Sequence, residues 1–307
     1  MSAGPSTTLP GRDVLVTGGG GFIGSHLVDA LADDCDVRVL DDFSTGSREN
    51  LPEGVTLVDG DVRDREAVAE AVDGVDAVFH LAAVVSVDRS VEAPLESHAV
   101  NVDGTLAVLD SARRADARVV AVSSAAVYGD PSEVPTPESA PLEPLSPYGV
   151  DKLAVDQYAR LYADLYGLPA VVVRPFNVYG PRQSASDYSG VVSVFLERAL
   201  AGDPIPVHGD GEQTRDFLHV SDAVDGLVAA AESDATGEAF NLGTGRQVSV
   251  NDLAAAVKAV TDSDAPVRHT DPRSGDVRHS CADVGKAHRT LGFEPSVRLR
   301  EGLATLV

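Results

Sequence analysis

The stretch "VLVTGGGGFIGSHL", residues 14–27, decides the fold. Its first four residues, three of them apolar and three β-branched, have the character of a buried strand. Four glycines follow. Then "FIGSHLVDALADD" (22–34) carries apolar residues at helical spacing. Gly18, Gly21 and Gly24 stand three apart across the junction, with Phe22 and Ile23 opening the helix. Such a loop turns tightly and lets backbone approach a pyrophosphate, whose charge the helix N-terminus stabilises. The alternative is a strand-to-helix turn with no ligand.

Working outward, strand-like and helix-like segments alternate. The strand-like runs are "DVRVLDD" (36–42), "VTLVDGD" (55–61), "AVFHLAA" (77–83), "RVVAVSS" (118–124) and "AVVVRPFNVYG" (170–180), the last taken as one strand. Between them lie "REAVAEAVDG" (65–74) and "APLESHAVNVDGTLAVLDSARRA" (93–115), read as helices. This alternation predicts an α/β fold with a doubly wound parallel sheet, whose ligands sit at the carboxyl ends of strands. After residue 176 proline and glycine become frequent. The expected division is a dinucleotide-binding domain over 1–176 and a smaller substrate-binding domain over 177–307, with some elements returning to the main sheet.

Composition narrows the role. The chain has 307 residues, 43% of them hydrophobic, enough for a sizeable core. The net charge of −24 repels nucleic acid and anionic membranes, so neither is an expected partner. Three lysines stand against 21 arginines. Scattered acid with few lysines resembles the proteins of salt-loving microbes; the alternative is an acidic enzyme from ordinary conditions. No apolar run nears the roughly 18 residues that span a membrane. The opening "MSAGPSTTLPGRD" lacks the pattern of a signal peptide and is expected to be disordered. Cys35 and Cys281 are too few for a disulfide framework. The expected location is the cytoplasm. The histidines lack metal-ligand spacing, so no metal is expected.

Chemistry concentrates at strand ends. Asp41 and Asp42 close the second strand, about 20 residues past the glycine loop, where an acid can bond a ribose diol. The same carboxylate would repel a 2′-phosphate, which points to NAD over NADP. Asp61 either accepts from the adenine amino group or caps the helix that follows. "SPYGVDK" (146–152) puts Tyr148 and Lys152 on one helix face. There the ammonium is expected to lower the tyrosine pKa, so that tyrosinate removes a hydroxyl proton while hydride leaves for NAD. Ser123 and Ser124 end the preceding strand, where a serine hydroxyl can bond the same substrate oxygen.

Taken together, these residues resemble the extended short-chain dehydrogenases/reductases, the NAD-dependent epimerase/dehydratase family with a Rossmann sheet. The resemblance rests on the glycine loop, the acid after strand two, "HLAA", "SSAAVYG" and "YGVDK". "RPFNVYGPRQ" (174–183), "GDGEQTRDFLHVSD" (209–222) and "RSGDVRHSCADVGKA" (273–287) narrow it to nucleotide-sugar enzymes, most similar to UDP-sugar 4-epimerases. The resemblance implies Ser124, Tyr148 and Lys152 as catalytic residues, with Lys152 on the nicotinamide ribose. It implies Val62, Leu81, Ala82, Ala83, Asn101 and Ser123 beside the cofactor, together with Tyr148 and Lys152. It implies Asn177, Arg215 and Arg273 at the uridine diphosphate, and Ser86, Gln183, Asp276 and Ser280 around the substrate. Arg215 and Arg273 could instead form surface salt bridges, and Asn177 could be a turn residue. Arg174 and His80 are expected to be structural.

Two departures bear on the reaction. Dehydratases of this family carry an acid between the catalytic hydroxyl and the "VYG" tyrosine, where this chain has Ala125 and Ala126. Val85 replaces a lysine found in some UDP-glucose epimerases. The expected activity is C4 epimerisation of a UDP-hexose through a 4-keto sugar. The rivals are a UDP-glucuronate epimerase or decarboxylase, and a non-catalytic NAD-binding regulator. The resemblance also implies a homodimer through residues 93–115 and 146–167.

Overall fold

The computed structural model describes residue 9 and residues 11–183, 190–272 and 275–307. Six strands lead the fold: β1 (Asp13–Thr17), β2 (Asp36–Asp41), β3 (Thr56–Asp59), β4 (Ala77–His80), β5 (Arg118–Val122) and β6 (Ala170–Pro175). With the strand Ala239–Leu242 they form a seven-stranded sheet. Its order is Ala239–Leu242, β6, β5, β4, β1, β2, β3, parallel throughout. This is the doubly wound Rossmann arrangement. The order reverses between β1 and β4, so the crevice for a ligand opens at their carboxyl ends.

The strands are apolar on both faces because both are covered. Val14 and Val16 face one layer, α1 (Phe22–Leu31) and the helix Val220–Glu232. Leu15 and Leu40 face the other, built from α2 (Arg65–Val72), α5 (Gly104–Ala115) and α6 (Pro147–Tyr166). Before α5 come two short helices, α3 (Val87–Glu92) and α4 (Pro94–His98). Beyond residue 176, Tyr179, Phe195, Ile205 and Leu253 centre a separate apolar cluster.

Three local expectations need correction. Residues 170–180 are not one strand. β6 ends at Pro175, and Asn177–Tyr179 pairs instead with Phe217–His219 in a separate two-stranded sheet. Proline has no N–H to continue a ladder. The helix expected over 93–115 contains a π-helical turn at Ala99–Asp103, which puts Asn101 into the site. Finally, α2 is capped by Asp64, whose carboxylate accepts from the N–H groups of Glu66 and Ala67, and not by Asp61.

Candidate active site

The glycine loop fits a dinucleotide. Gly18 has φ +72°, and a Cβ there would lie 2.7 Å from the Ala82 nitrogen, so only glycine allows β1 and β4 to close on one another. A Cβ on Gly24 would lie 2.1 Å from the Gly18 carbonyl oxygen. The N-cap of α1 is Gly21, with no side-chain cap and no acid in the first turn, which leaves that N-terminus electropositive. Phe22 and Ile23 are half-buried at its start.

Asp41 is buried at the end of β2. Its Oδ2 accepts from the Gly20 N–H at 2.8 Å and its Oδ1 from the Phe43 N–H at 2.7 Å. Burial raises its pKa, and the two N–H donors oppose that. Asp42 is exposed and spent on its own turn, accepting from the Ser44 N–H and hydroxyl. Asp61 is bound by Arg63, whose side chain and backbone N–H both donate to it, and this pairing lowers its pKa. One segment that sequence reading missed is Phe43–Asn50. A Cβ on Gly46 would lie 2.6 Å from the Gly20 carbonyl carbon, and the Gly20 carbonyl accepts from the Ser47 N–H and the Asn50 amide. The signal was Gly46, in "STG" just after the acid.

A hydrogen-bond chain fixes the crevice floor. The Thr105 hydroxyl donates to the Asn101 carbonyl at 2.5 Å, so it must accept from His80 Nε2–H at 2.9 Å. His80 Nδ1 then accepts from the Thr17 hydroxyl at 2.8 Å, and Thr17 Oγ1 accepts from the Ala82 N–H. Burial and the Lys152 cation push the His80 pKa down to about 3. It is a neutral structural group. Asn101 is also buried and clamps the Val84 backbone, accepting from its N–H at 2.7 Å and donating to its carbonyl at 3.0 Å. That holds Leu81, Ala82 and Ala83, all half-buried, along the crevice wall. Val62 is buried against Gly104.

Ser124 follows β5 and caps a single 3-10 turn, Ala125–Tyr128, by accepting from the Ala126 N–H. Helix α6 starts opposite. Ser146 caps it, Pro147 occupies its first turn, and the Tyr148 N–H donates to the buried Ser90 hydroxyl. A Cβ on Gly149 would lie 2.9 Å from the Ala126 carbonyl oxygen, so this glycine lets α6 approach the Ser124 turn. Ser123 Oγ donates to the Lys152 carbonyl at 2.9 Å and ties β5 to the same helix.

The expected electrostatics of the tyrosine need correction. Burial raises the Tyr148 pKa, and the nearby Ser124 hydroxyl opposes this. The Lys152 ammonium is turned toward the Val122 carbonyl at 2.8 Å, 6.0 Å from the Tyr148 ring centroid. Its own pKa is pushed down to about 8 by burial, against the pull of Asp151.

At the other end, residues expected to meet substrate largely engage one another. Arg215 donates to the Thr214 carbonyl and pairs with Asp276; burial lowers its pKa against that pairing. Asn177 is exposed, with its amide donating to the Asp216 carbonyl. The Gln183 amide bonds the Val178 carbonyl and the Ser193 hydroxyl, and Ser86 caps α3. The Ser280 N–H donates to the Thr214 carbonyl, which sets Ser280 beside the Arg215 strand. Arg273 lies outside the described residues. Arg174 is structural, buried with its guanidinium on Asp156, Tyr128 and the Glu138 carbonyl. Sequence reading also missed Asp216, fully buried, whose carboxylate accepts from the N–H groups of Thr244, Gly245 and Ala282. Among the described residues, no group of three or more His, Cys, Asp or Glu could hold a metal ion.

The sequence profile of the NAD dependent epimerase/dehydratase family matches residues 14–243. The chain belongs to that family. It is an NAD-dependent enzyme, and the crevice above accommodates that cofactor. The UDP-glucose 4-epimerase of Mycolicibacterium smegmatis is 42% identical over 303 residues, covering 95% of this chain and 96% of its own. The solved structure of the Thermotoga maritima UDP-glucose 4-epimerase with UDP-glucose is 39% identical, with a TM-score of 0.92 and coverage of 95% and 96%. That of the Methanobrevibacter ruminantium UDP-N-acetylglucosamine 4-epimerase with UDP-N-acetylmuramic acid is 36% identical, with a TM-score of 0.93 and 97% coverage of both chains. Family members of other activity, a UDP-glucuronic acid decarboxylase and a dTDP-glucose 4,6-dehydratase, match over almost the same span.

Proposed function

We propose that this enzyme inverts C4 of a UDP-hexose. The observation that carries the reading is the convergence of Ser124, which caps the turn after β5, with Tyr148 and Lys152 on one face of α6, where the "VYG" turn offers Ala125 and Ala126 in place of an acid. Tyr148 removes the proton of the 4-hydroxyl, and the Ser124 hydroxyl bonds the same oxygen. When bound, NAD supplies the acceptor, and later the donor, of the C4 hydride. Burial alone would keep Tyr148 protonated. Lys152 would hold the ribose of the bound cofactor, and the positive charge of the oxidised nicotinamide would favour the tyrosinate. The resulting 4-keto sugar turns over, and return of hydride to its other face inverts the carbon. Without a carboxylic acid at 125 or 126, elimination of water lacks its proton donor.

Asp41 excludes a 2′-phosphate, with Gly18, Gly21 and Gly24 opening the pyrophosphate site within a cofactor domain over 1–176. Asn177, Arg215, Arg273 and Asp276 hold the diphosphate end in the part from 177 on, an anion site that a chain of net charge −24 needs. Ser86 and Gln183 border the sugar. Ser280 leaves room at the C2 substituent for an acetamido group. The protein acts as a homodimer in a cytoplasm of high salt. No described helix is long and apolar enough to cross a membrane.

NMR of the purified protein with UDP-glucose, UDP-N-acetylglucosamine and UDP-glucuronate tests this. The expected products are the C4 epimers of the first two. Loss of carbon dioxide from UDP-glucuronate, or conversion of none while NAD stays bound, overturns the reading. Ser280→Tyr is expected to suppress the acetylated reaction and spare the other. Unchanged activity on both would remove Ser280 from the pocket wall.

A further inference from the structure

The residue before the lysine, Asp151, is acidic and 4% exposed, an unusual setting for a carboxylate. It faces away from the crevice toward α4. The Ser97 hydroxyl donates to its Oδ2 at 2.6 Å, and His98 Nδ1 lies 3.0 Å from its Oδ1. An ionised carboxylate only accepts, so that nitrogen carries the hydrogen. The Asn101 amide donates in turn to Ser97 Oγ at 3.3 Å while clamping Val84. A continuous chain of bonds therefore runs from the crevice wall, through Asn101, Ser97 and Asp151, to the helix that carries Tyr148 and Lys152.

We propose that Asp151 is a positioning residue for the tyrosine–lysine pair: its carboxylate, bonded by Ser97 and His98, locks α6 to the Val84 wall and sets a buried carboxylate next to Lys152 in the chain. The inference deepens the proposed C4 chemistry and rests on it only for the role of that charge. Lys152 is buried and its ammonium bonds a neutral carbonyl, so desolvation favours loss of its proton. Asp151 is the carboxylate that opposes this. The other titratable groups facing Lys152 are Tyr148 and neutral His80. On the packed elements, Asp156 is paired with Arg174, while the charged residues of α3 and α4 are exposed, with Arg89 bridging Glu92 and Glu96.

The chain has three lysines, so NMR of holoenzyme labelled at lysine Cε yields three titrations, with Lys152 assigned by its loss in Lys152→Arg. In Asp151→Asn and Asp151→Ser the Lys152 midpoint is expected to fall by about one pH unit, the size of a charge interaction at close range. The alkaline limb of kcat is expected to fall with it. Asp151→Glu restores the charge and should return the midpoint toward that of the parent. A midpoint unmoved in folded neutral variants overturns the proposal, even if those variants melt earlier. If the parent epimerises no UDP-sugar and yet the lysine midpoint shifts, the C4 reading fails and the role of Asp151 stands.

Discussion

At the scale of single residues, Tyr148 is set by two opposing effects. Burial favours the neutral phenol, and the nearby Ser124 hydroxyl favours the anion. Proton transfer through this phenol is what the proposed reaction requires. Tyr148→Phe keeps the ring and its packing but removes the proton acceptor. Turnover is expected to drop at least about a hundredfold, the low end for general acid–base catalysis. NAD content should stay near that of the parent, because the glycine loop and Asp41 are untouched by the change. Steady-state assays with cofactor quantitation check this, and near-normal epimerisation would remove Tyr148 from the chemistry. Asp41 is set differently. Two backbone N–H donors fix its carboxylate, so its orientation belongs to the glycine loop as much as to β2.

At the scale of elements, the floor between β1, β4 and the π-helical turn hangs on a histidine that folds neutral. His80 has a folded pKa of about 3 against an ordinary 6.5. Between those values the unfolded chain binds a proton that the folded chain refuses. Stability contributed by neutral His80 is thus present above pH 6.5 and lost as pH falls, at about 1.4 kcal/mol per pH unit. Going from pH 7 to pH 5 should cost about 2 kcal/mol through this group. His80→Gln should shrink the drop in urea midpoint between those pH values, measured in high salt, and an unchanged drop would contradict the account. The sheet, the glycine loop and the Tyr148–Lys152 face were legible in sequence because each is a local pattern of period, spacing and glycine. What was not legible depends on distant partners or on geometry. The π turn has the side-chain pattern of an ordinary helix. The clamp of Asn101 on Val84 and the gathering of N–H groups by Asp216 join segments far apart in the chain. Asp61 and Asp64 both had cap chemistry, and only the path of the backbone separates them. The apolar run through Pro175 gave no sign that the chain leaves the main sheet there.

At the scale of the whole molecule, α6 is apolar on two sides. Its inner face buries Val155, Ala159 and Ala163. Its outer face carries Val150, Tyr158, Leu161 and Leu165, at spacings of eight, three and four, with Leu165 63% exposed. On neighbouring α3 and α4, Val91 is also exposed and Leu95 is 86% exposed. A helix with a second apolar stripe needs a second partner. A self-complementary patch on one face suits a two-fold pair, and Leu95 and the outer stripe of α6 lie in the two segments, 93–115 and 146–167, that the proposed dimer uses. Charge opposes the pairing, since two copies of net charge −24 repel. Salt near 1 M shortens that repulsion to about 3 Å while leaving apolar burial intact. Light scattering should therefore give twice the 31.9 kDa chain mass in high salt, with monomer appearing as salt is lowered. Leu161→Glu combined with Leu165→Glu should yield monomer at high salt, because two carboxylates per chain would then face each other across the two-fold. A monomeric parent in 1 M salt at micromolar concentration would show that the outer stripe of α6 is not a dimer face.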